Sequence, residues 1–285
     1  GAVCVSTVQA GGSSSGTYPC GQTIGNVSYT QVALCRGRTP ADGWDSVAFW
    51  SNSGSTGNFE CARTGAVCVT TYQTGQSGGT YPCGQLIGNT GYTQAALCRA
   101  RTDADGWDRV ALWSNSTSSG HVECGRIGAA CTTTYQVGAS GGTYPCGQDI
   151  GNSGYSQAAL CRPPTAADGW NLTVTWSNTT LYPNVRCVES DAECVDVFYA
   201  GNDSGSPACS SPTGSAGYNV VARCKTATLA SAGWNTHVTW SGLSQTGADA
   251  CAAIGGACVS VLGTGDGATV ACGSSVVQGV ARCAK

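Results

Sequence analysis

The residues best able to do chemistry in this chain are its nineteen cysteines, because thiols either bind metal or form disulfides. Four consecutive stretches each carry four cysteines at matching places, with gaps of about 15, 15, 26 and 7 residues. These gaps are too wide for the paired C-x-x-C ligands of zinc sites, and the two histidines, His121 and His237, occupy unmatched positions. We therefore expect disulfides, no metal or other cofactor, and an oxidising compartment.

The cysteine pattern allows three pairing schemes, and each leaves one thiol over in a terminal stretch. Pairing the second cysteine with the third, and the fourth with the first of the next stretch, leaves Cys4 unpaired. Pairing first with second and third with fourth leaves Cys283, and crossed pairing leaves Cys272. In the first scheme the bridging cysteines are Cys20, Cys35, Cys61, Cys68, Cys83, Cys98, Cys124, Cys131, Cys146, Cys161, Cys187, Cys194, Cys209, Cys224, Cys251, Cys258, Cys272 and Cys283. Because nineteen is odd, disulfides alone cannot link identical subunits head to tail with every thiol paired.

A second group of side chains occurs in three of the stretches and is missing from the fourth. Aromatic, amide and carboxylate groups of these kinds stack on sugar rings and hydrogen-bond to their hydroxyls, so they are candidate ligand-binding residues. Recent duplication of the three stretches is the alternative explanation. The candidates are Tyr18, Gln22, Asn26 and Asp42, then Tyr81, Gln85, Asn89 and Asp105, then Tyr144, Gln148, Asn152 and Asp168, accompanied by Gln31, Gln94 and Gln157.

Catalytic sets are not recognisable in the sequence. Neither histidine has the acid and the nucleophile of a hydrolase triad at a matching place, and the three Asp-Gly-Trp aspartates are better interpreted as turn residues than as glycosidase carboxylates. We therefore expect a protein that is not an enzyme.

These residues belong to a tandem repeat. Closely similar segments begin at Thr17, Thr80 and Thr143, which gives a period of 63 residues. The predicted domains are repeat 1 (1–64), repeat 2 (65–127), repeat 3 (128–190), a divergent repeat 4 (191–254) and an incomplete terminal repeat (255–285). Units this small bury little surface and need staples or neighbours.

Within a repeat, the sequence predicts short strands. Residues 66–73 are rich in β-branched residues, residues 80–84 with Pro82 suit an edge or a bend rather than a central strand, and the pair Asp105-Gly106 predicts a hairpin turn. HVECGRI is interpreted as a closing strand, and no convincing helical period is present. The predicted class is all-β, a tandem array of four and a half small, disulfide-stapled, β-sandwich-like repeats.

Each full repeat also carries two tryptophans six residues apart, which on a strand would point to the same face. They are either core residues packed on a disulfide, or one of each pair is an exposed platform for sugar. The pairs are Trp44 and Trp50, Trp107 and Trp113, Trp170 and Trp176, and Trp234 and Trp240.

The composition argues against nucleic acid and membranes as binding partners. Charged residues make up 10% of the chain and the net charge is −3, whereas nucleic acid and anionic membranes attract clustered Lys and Arg. No apolar run approaches membrane-spanning length, so neither nucleic-acid binding nor membrane insertion is expected. With the cysteines, these features predict a secreted protein, extracellular or at a cell surface. Candidate N-glycosylation sites are Asn26, Asn115, Asn171, Asn178 and Asn202.

Two functions fit this pattern. The first is a structural subunit of an extracellular fibre, sheath or surface appendage, which assembles non-covalently and head to tail with copies of itself through its terminal repeats. Residues 255–285 would then either cap repeat 4 or join the next subunit through an unpaired sheet edge. The second is a multivalent lectin with equivalent glycan sites in repeats 1–3.

Overall fold

The computed structural model describes residues 2–10, 16–20, 22, 30–51, 54–73, 79–87, 92–114, 116–138, 141–151, 154–177, 179–200, 206–214 and 219–285. Strands dominate and disulfides recur in a repeating pattern, so the predicted all-β, disulfide-rich repeat class is confirmed. The strands are β1 (Ala2–Ala10), β2 (Gly16–Tyr18), β3 (Thr30–Gly37), β4 (Ser46–Ser51), β5 (Ala66–Gln73), β6 (Gly79–Tyr81), β7 (Thr93–Ala100), β8 (Arg109–Ser114), β9 (Ser118–Ser119), β10 (Ala130–Val137), β11 (Gly142–Tyr144), β12 (Asp149–Ile150), β13 (Ser156–Arg162), β14 (Leu172–Ser177), β15 (Ala192–Ala200), β16 (Asn219–Thr226), β17 (Thr236–Thr246), β18 (Ala257–Gly263), β19 (Thr269–Val270) and β20 (Ser275–Ala284). The helices are α1 (Gly57–Ala62), α2 (Gly120–Arg126), α3 (Pro183–Val188), α4 (Leu229–Ala232) and α5 (Gly247–Ala253).

The chain divides into two compact units. One comprises residues 1–115, 132–145 and 151–160, and the other comprises residues 116–131, 146–150 and 161–285. The first unit holds the sheets β2-β1-β3 and β4-β7-β5-β6 and most of β11-β10-β13-β8. The second unit holds β12-β9, β14-β16-β15 and β17-β20-β18-β19.

The strand order shows that each repeat completes the sheet of the following one. β4 belongs to repeat 1, yet it pairs antiparallel with β7 of repeat 2, so that Ser46 lies opposite Cys98 and Trp50 opposite Gln94. β14 pairs in the same way with β16, β17 with β20, and β8 lies beside β13. The folded modules are therefore offset from the sequence repeats.

We call the strand and helix that a repeat gives to the next one the donor segment, and the strands that receive it the acceptor. The donor segments are residues 46–62, 109–126, 172–188 and 236–253, and their acceptors are residues 66–100, 130–162, 192–226 and 257–284. A fifth acceptor, residues 2–37, is the sheet β2-β1-β3, in which β3 is an edge strand and no described strand pairs with its outer edge.

Nine disulfides follow this donor and acceptor arrangement. Within each acceptor the first cysteine pairs with the second, as in one of the three predicted schemes. The fourth cysteine of each repeat pairs with the third of the next repeat, which none of the schemes contained. The bridges are Cys4–Cys20, Cys68–Cys83, Cys131–Cys146, Cys194–Cys209 and Cys258–Cys272 within acceptors, and Cys61–Cys98, Cys124–Cys161, Cys187–Cys224 and Cys251–Cys283 across boundaries.

Two of the cysteine predictions are therefore wrong. Cys4, predicted to be unpaired, is bonded to Cys20, and Cys35, predicted to be bridged, is the free and exposed cysteine. The physical reason is that the third cysteine of a repeat lies on the acceptor strand that a donor strand joins, where its partner is on a helix from the repeat before.

The segment 255–285 was predicted to be an incomplete repeat, and the structure gives it a full sheet. Its three strands join β17 into the order β17-β20-β18-β19, and Cys251 of α5 is bonded to Cys283 of β20. This segment receives the donor segment of repeat 4, as each acceptor before it receives a donor.

Local sequence explains two further differences from the predicted elements. Asp105-Gly106 closes a 3-10 turn over Asp103–Asp105, with Gly106 at φ 74° as its C-cap. The expected hairpin does not form, because the free edge of β7 is occupied by β4 and the following β8 lies in another sheet. HVECGRI forms α2 rather than a strand, because the Ser119 hydroxyl caps it by accepting a hydrogen bond from the Val122 N–H at 3.4 Å.

Candidate functional site

The first joint, where β4 and α1 meet β7, shows how a repeat boundary is closed. Just before β4, the Asp45 carboxylate accepts a hydrogen bond of 2.6 Å from the backbone N–H of Ala100. At the other end of β4, the Trp50 indole N–H donates a bond of 3.3 Å to the carbonyl oxygen of Ile87. The donor strand is thus fixed to its acceptor at both ends, in addition to the bonds of the sheet.

The helix of the donor segment then covers one face of the acceptor. Its N-cap is Thr56, whose hydroxyl accepts a bond of 3.2 Å from the N–H of Phe59. Gly57 follows, and a Cβ at this position would lie 2.1 Å from Thr71 Cγ2 and 2.6 Å from Cys68 Sγ. Only glycine lets the helix approach the sheet this closely.

A disulfide then closes the joint covalently. Cys61 of α1 is bonded to Cys98 of β7, and both are fully buried under Trp50 in one apolar cluster. The other joints repeat this plan: the indole N–H of Trp176 donates to Thr213 at 3.1 Å, and that of Trp240 to Val276 at 2.9 Å. In all four donor segments the tryptophan precedes the bridging cysteine by eleven positions.

The outer side of each of the donor helices α1, α2 and α3 packs on residues of the following module. Ala62 of α1 lies in a cluster with Trp107 and Leu160, flanked by Val67 and Tyr135. In the second unit, Val122 of α2 packs with Ala200 and Val221, and Val185 and Val188 of α3 pack with Trp234 and Leu262. The donor helix is therefore shared between two sheets.

Six of the eight tryptophans are core residues, as one of the two interpretations expected. Trp44, Trp50, Trp107, Trp170, Trp176 and Trp234 are buried, and Trp113 and Trp240 are half-buried. Trp50 and Trp176 pack on boundary disulfides, and Trp107 and Trp234 pack against donor helices. None of the eight is an exposed platform for a sugar ring.

The three candidate aspartates stabilise turns through hydrogen bonds. The Asp105 carboxylate accepts bonds of 2.9 and 2.5 Å from Arg99, 2.7 Å from the Thr102 N–H and 3.1 Å from the Thr102 hydroxyl. These bonds hold the pKa of Asp105 well below its ordinary value of 3.8. The bonds from Arg99 contribute most, and the bond from the Thr102 N–H comes next. Asp42 and Asp168 have the same partners in their repeats, Arg36 with Thr39 and Arg162 with Thr165.

The candidate tyrosines and glutamines lie on or just after an edge strand of each sheet. This edge is opposite to the one that a donor strand joins. Tyr18, Tyr81 and Tyr144 are half-buried on the edge strands β2, β6 and β11. Gln22, Gln85 and Gln148 are exposed in the turns that follow, where the Gln22 and Gln85 N–H groups donate 3.0 Å bonds to Pro19 and Pro82. By contrast, Gln94 and Gln157 are fully buried, whereas Gln31 is exposed.

The tyrosine and aspartate of a repeat are not brought together. Tyr81 pairs with Thr71, which lies opposite Ala96, whereas Arg99, the partner of Asp105, lies opposite Val67. Three residues along β7 separate the two positions, about 10 Å at ~3.3 Å per residue. Within the described part of repeat 2, these two side chains do not form one ligand patch.

Several candidates lie outside the described residues: Asn26, Asn89, Asn152, Asn115, Asn178 and Asn202. Asn171 is described and exposed, and its amide oxygen accepts bonds of 2.9 and 3.1 Å from the N–H and hydroxyl of Thr226. It fastens β14 to the end of β16, as Asp45 fastens β4 to β7. N-glycosylation stays a prediction at all five sequons.

The two histidines lie in different environments. His237 Nδ1 lies 2.7 Å from an Asp191 carboxylate oxygen. His121 stacks on Phe198 with ring centroids 4.4 Å apart, and burial first, then the charge of Arg223, lowers its pKa to about 4. Among the described residues, no group of three or more His, Cys, Asp or Glu could hold a metal ion.

The chain matches no family model, no curated protein and no solved structure. The residues that sequence reasoning missed are those of the joints, above all the pairing of Cys61 with Cys98 and the exposed Cys35. The constant eleven-residue spacing from tryptophan to cysteine was the signal that marked the donor segments as one unit.

Proposed function

We propose that the protein is a secreted structural protein, a subunit of an extracellular fibre, sheath or surface appendage that assembles through its terminal repeats. The observation that carries this proposal is the disulfide at each repeat boundary, for example Cys61–Cys98. Strand pairing, an indole hydrogen bond and a covalent bond act side by side at such a joint. A chain joined in this way resists extension at every boundary.

The location in the proposal follows from the bridges. Nine disulfides are typical of a protein that folds and persists in an oxidising compartment, and they fit an extracellular or secreted protein. Among the described helices, none combines the length and apolar character needed to cross a bilayer.

A mechanical role is favoured over a lectin because the best sugar-binding candidates have structural roles. The tryptophans are buried or half-buried, and Asp42, Asp105 and Asp168 are held by an arginine and a threonine. Exposed Gln22, Gln85 and Gln148 keep the lectin as the alternative proposal. A glycan array with the wild type and a Gln85→Ala variant tests it, and binding lost in that variant would favour the lectin.

The test of the proposal is negative-stain electron microscopy of native, unreduced protein, with light scattering on the same sample. We expect regular filaments or sheets, and we expect reduction of the disulfides to disperse or soften them. The matched variant is Cys61→Ser with Cys98→Ser, which removes one boundary bridge and retains the others. Monodisperse single chains under all native conditions would contradict the proposal.

A further inference from the structure

The acceptor at residues 2–37 has the same internal structure as the four acceptors that hold a donor. Cys4 lies opposite Cys35 across β1 and β3, as Cys68 lies opposite Cys98 across β5 and β7, and a bulge follows the first cysteine in both sheets. Cys35 Sγ lies 3.8 Å from the Ala33 carbonyl oxygen, and Cys98 Sγ lies 3.6 Å from that of Ala96. The thiol is therefore already oriented like its bridged counterpart.

What differs is the cover over this sheet. Ala96 and Cys98 are completely buried beneath α1, whereas the equivalent Ala33 and Cys35 of β3 are exposed. Leu34 is 51% exposed on the other face, whereas its equivalent Leu160 is 6% exposed beside α1. An edge strand with exposed apolar side chains is a template for adding another strand.

A cavity of about 420 Å³ lies beside this acceptor. Four of its lining residues are equivalent to four of the five that cluster with Ala62 of α1 at the next boundary. The equivalent pairs are Val3 and Val67, Trp44 and Trp107, Tyr72 and Tyr135, and Leu97 and Leu160. The cavity is thus bounded like the site in which a donor helix packs elsewhere in the chain.

None of the described donor segments is left for this acceptor. All four of its donor segments are paired with, and disulfide-bonded to, acceptors of the same chain. A second copy folded in the same way therefore has none to give. The occupant is therefore a donor segment other than these four.

We propose that β3, Cys35 and the adjoining cavity form a docking site for a donor segment of a separate protein molecule. That segment pairs its strand with β3, places a tryptophan opposite Gln31, inserts a short helix into the cavity and bonds a cysteine to Cys35. The inference deepens the proposed function, on which it rests for the partner being part of an assembly, by naming the joint between molecules.

The acceptor also specifies the chemistry of the partner. Thr7 and Cys4 stand where Thr71 and Cys68 stand beneath Gly57, so a glycine as the first residue of the docking helix avoids a clash with both. The donors of repeats 1, 2 and 4 give the matching pattern: tryptophan, five residues, Ser or Thr, glycine, three residues, cysteine. The Ser or Thr caps the helix, and the cysteine reaches the third cysteine of the acceptor.

The covalent step is a balanced thiol–disulfide exchange. The Cys35 thiolate attacks the sulfur of a donor cysteine that carries a small thiol as a mixed disulfide, such as glutathione. The Cys35–donor S–S bond forms, the bond to the small thiol breaks, and that thiol leaves as its thiolate. When both cysteines begin as thiols, a small-molecule disulfide such as oxidised glutathione accepts the two electrons and two protons.

The test uses the oxidised full chain and a synthetic peptide of residues 45–64, whose Cys61 is activated as a mixed disulfide with 5-thio-2-nitrobenzoate. We expect release of the coloured thiolate, one peptide bonded at Cys35 by peptide mapping, and amide-exchange protection over Thr30–Gly37. Peptides with Gly57→Val or Trp50→Ala are the matched controls and should couple about ten-fold more slowly, because they lose docking and keep the thiol. The Cys35→Ser protein should capture no peptide at this position.

Equal coupling of all three peptides would show a merely reactive thiol and overturn the inference. In unreduced native material, non-reducing peptide mapping should find Cys35 bonded to a cysteine that follows a tryptophan by eleven positions on a separate polypeptide. A free Cys35, or one bonded within its own polypeptide, would overturn it. Filaments in which Cys35 is free would support the proposed function and refute the docking site. Selective capture of the peptide by a protein that forms no filaments would support the docking site and refute the proposed function.

Discussion

The indole N–H of Trp50 in repeat 1 donates a hydrogen bond to the carbonyl oxygen of Ile87 in repeat 2, so a core side chain of one repeat is anchored in another. Trp50→Phe should cost about 1 kcal/mol by removing this bond, and Trp50→Ala about 3–5 kcal/mol by also leaving a cavity over the Cys61–Cys98 bridge. Denaturant unfolding with disulfides intact measures both. The neighbouring Phe49 is 68% exposed, and Phe49→Ala should change stability little. Equal losses for Phe49→Ala and Trp50→Ala would contradict the assignment.

Gly57 tests the close approach of donor helix and sheet. Gly57→Ala should destabilise the first joint by about 1–3 kcal/mol, because the added Cβ overlaps the Thr71 methyl group and Cys68 Sγ. Gly84→Ala is the control, since its Cβ would meet only Asn58 Nδ2 at 3.6 Å. Thermal unfolding of the oxidised proteins compares the two, and a Gly57→Ala protein as stable as Gly84→Ala would refute the proposed fit.

The pKa of Asp105 predicts a specific acid dependence. Because Arg99 and Thr102 hold this pKa below the ordinary 3.8, the stability that Asp105 contributes is complete above pH 3.8 and is lost as the pH falls further. Asp105→Asn should lower the melting temperature at neutral pH and flatten the decline towards about pH 2. Asp103→Asn is the control, because that side chain is fully exposed. Identical acid limbs for the wild type and Asp105→Asn would show that the turn does not depend on the charge.

The lowered pKa of His121 predicts a second dependence of stability on pH, in a separate pH range. Its pKa is lowered from 6.5 to about 4 in the folded protein, chiefly by burial and then by Arg223. Between these values the unfolded chain binds a proton that the folded chain does not, so stability falls as the pH is lowered across the window. His121→Phe keeps an aromatic ring on Phe198 and should lose this dependence, whereas His237→Gln should retain it. Chemical unfolding at several pH values decides, and an unchanged slope in His121→Phe would contradict the assignment.

The boundary bridges predict how the protein responds to force. In the oxidised chain, only residues between successive bridged loops, such as 99–123, can be drawn out, about 9 nm per step at roughly 3.5 Å per residue. After reduction a whole repeat is released, about 22 nm on the same scale. Single-molecule stretching with and without reductant measures the increments. Equal increments in both states would mean that the bridges do not lie in the path of the force.

The sequence alone determined the strands better than their partners. Residues 66–73 were predicted as a strand and form β5 over the same range, because β-branched residues and flanking glycines act locally. The partner of β4 could not be found this way, since pairing depends on which sheet edge is free in the folded chain. Treating each repeat as closed therefore paired Cys35 with a cysteine of its own repeat.

The candidate site was predicted less well for a related reason. Comparison of the repeats separated scaffold residues from Asp105 and its counterparts. The absence of this Asp from repeat 4, however, reflects a different set of side chains holding the same turn. There, Thr228 and Ser231 form the cap by themselves, and Lys225 replaces the arginine. A side chain can thus be characteristic of three repeats because of a local turn, without a ligand.

Because each folded module is built from the end of one repeat and the beginning of the next, the boundary between repeats is always the same kind of seam. A gene that gains or loses one copy of the repeat by unequal recombination adds or removes one donor and one acceptor together. Every seam in the resulting protein is closed as before, and the thiol at Cys35 keeps its surroundings. Length can therefore vary between generations while the proposed docking surface is inherited unchanged.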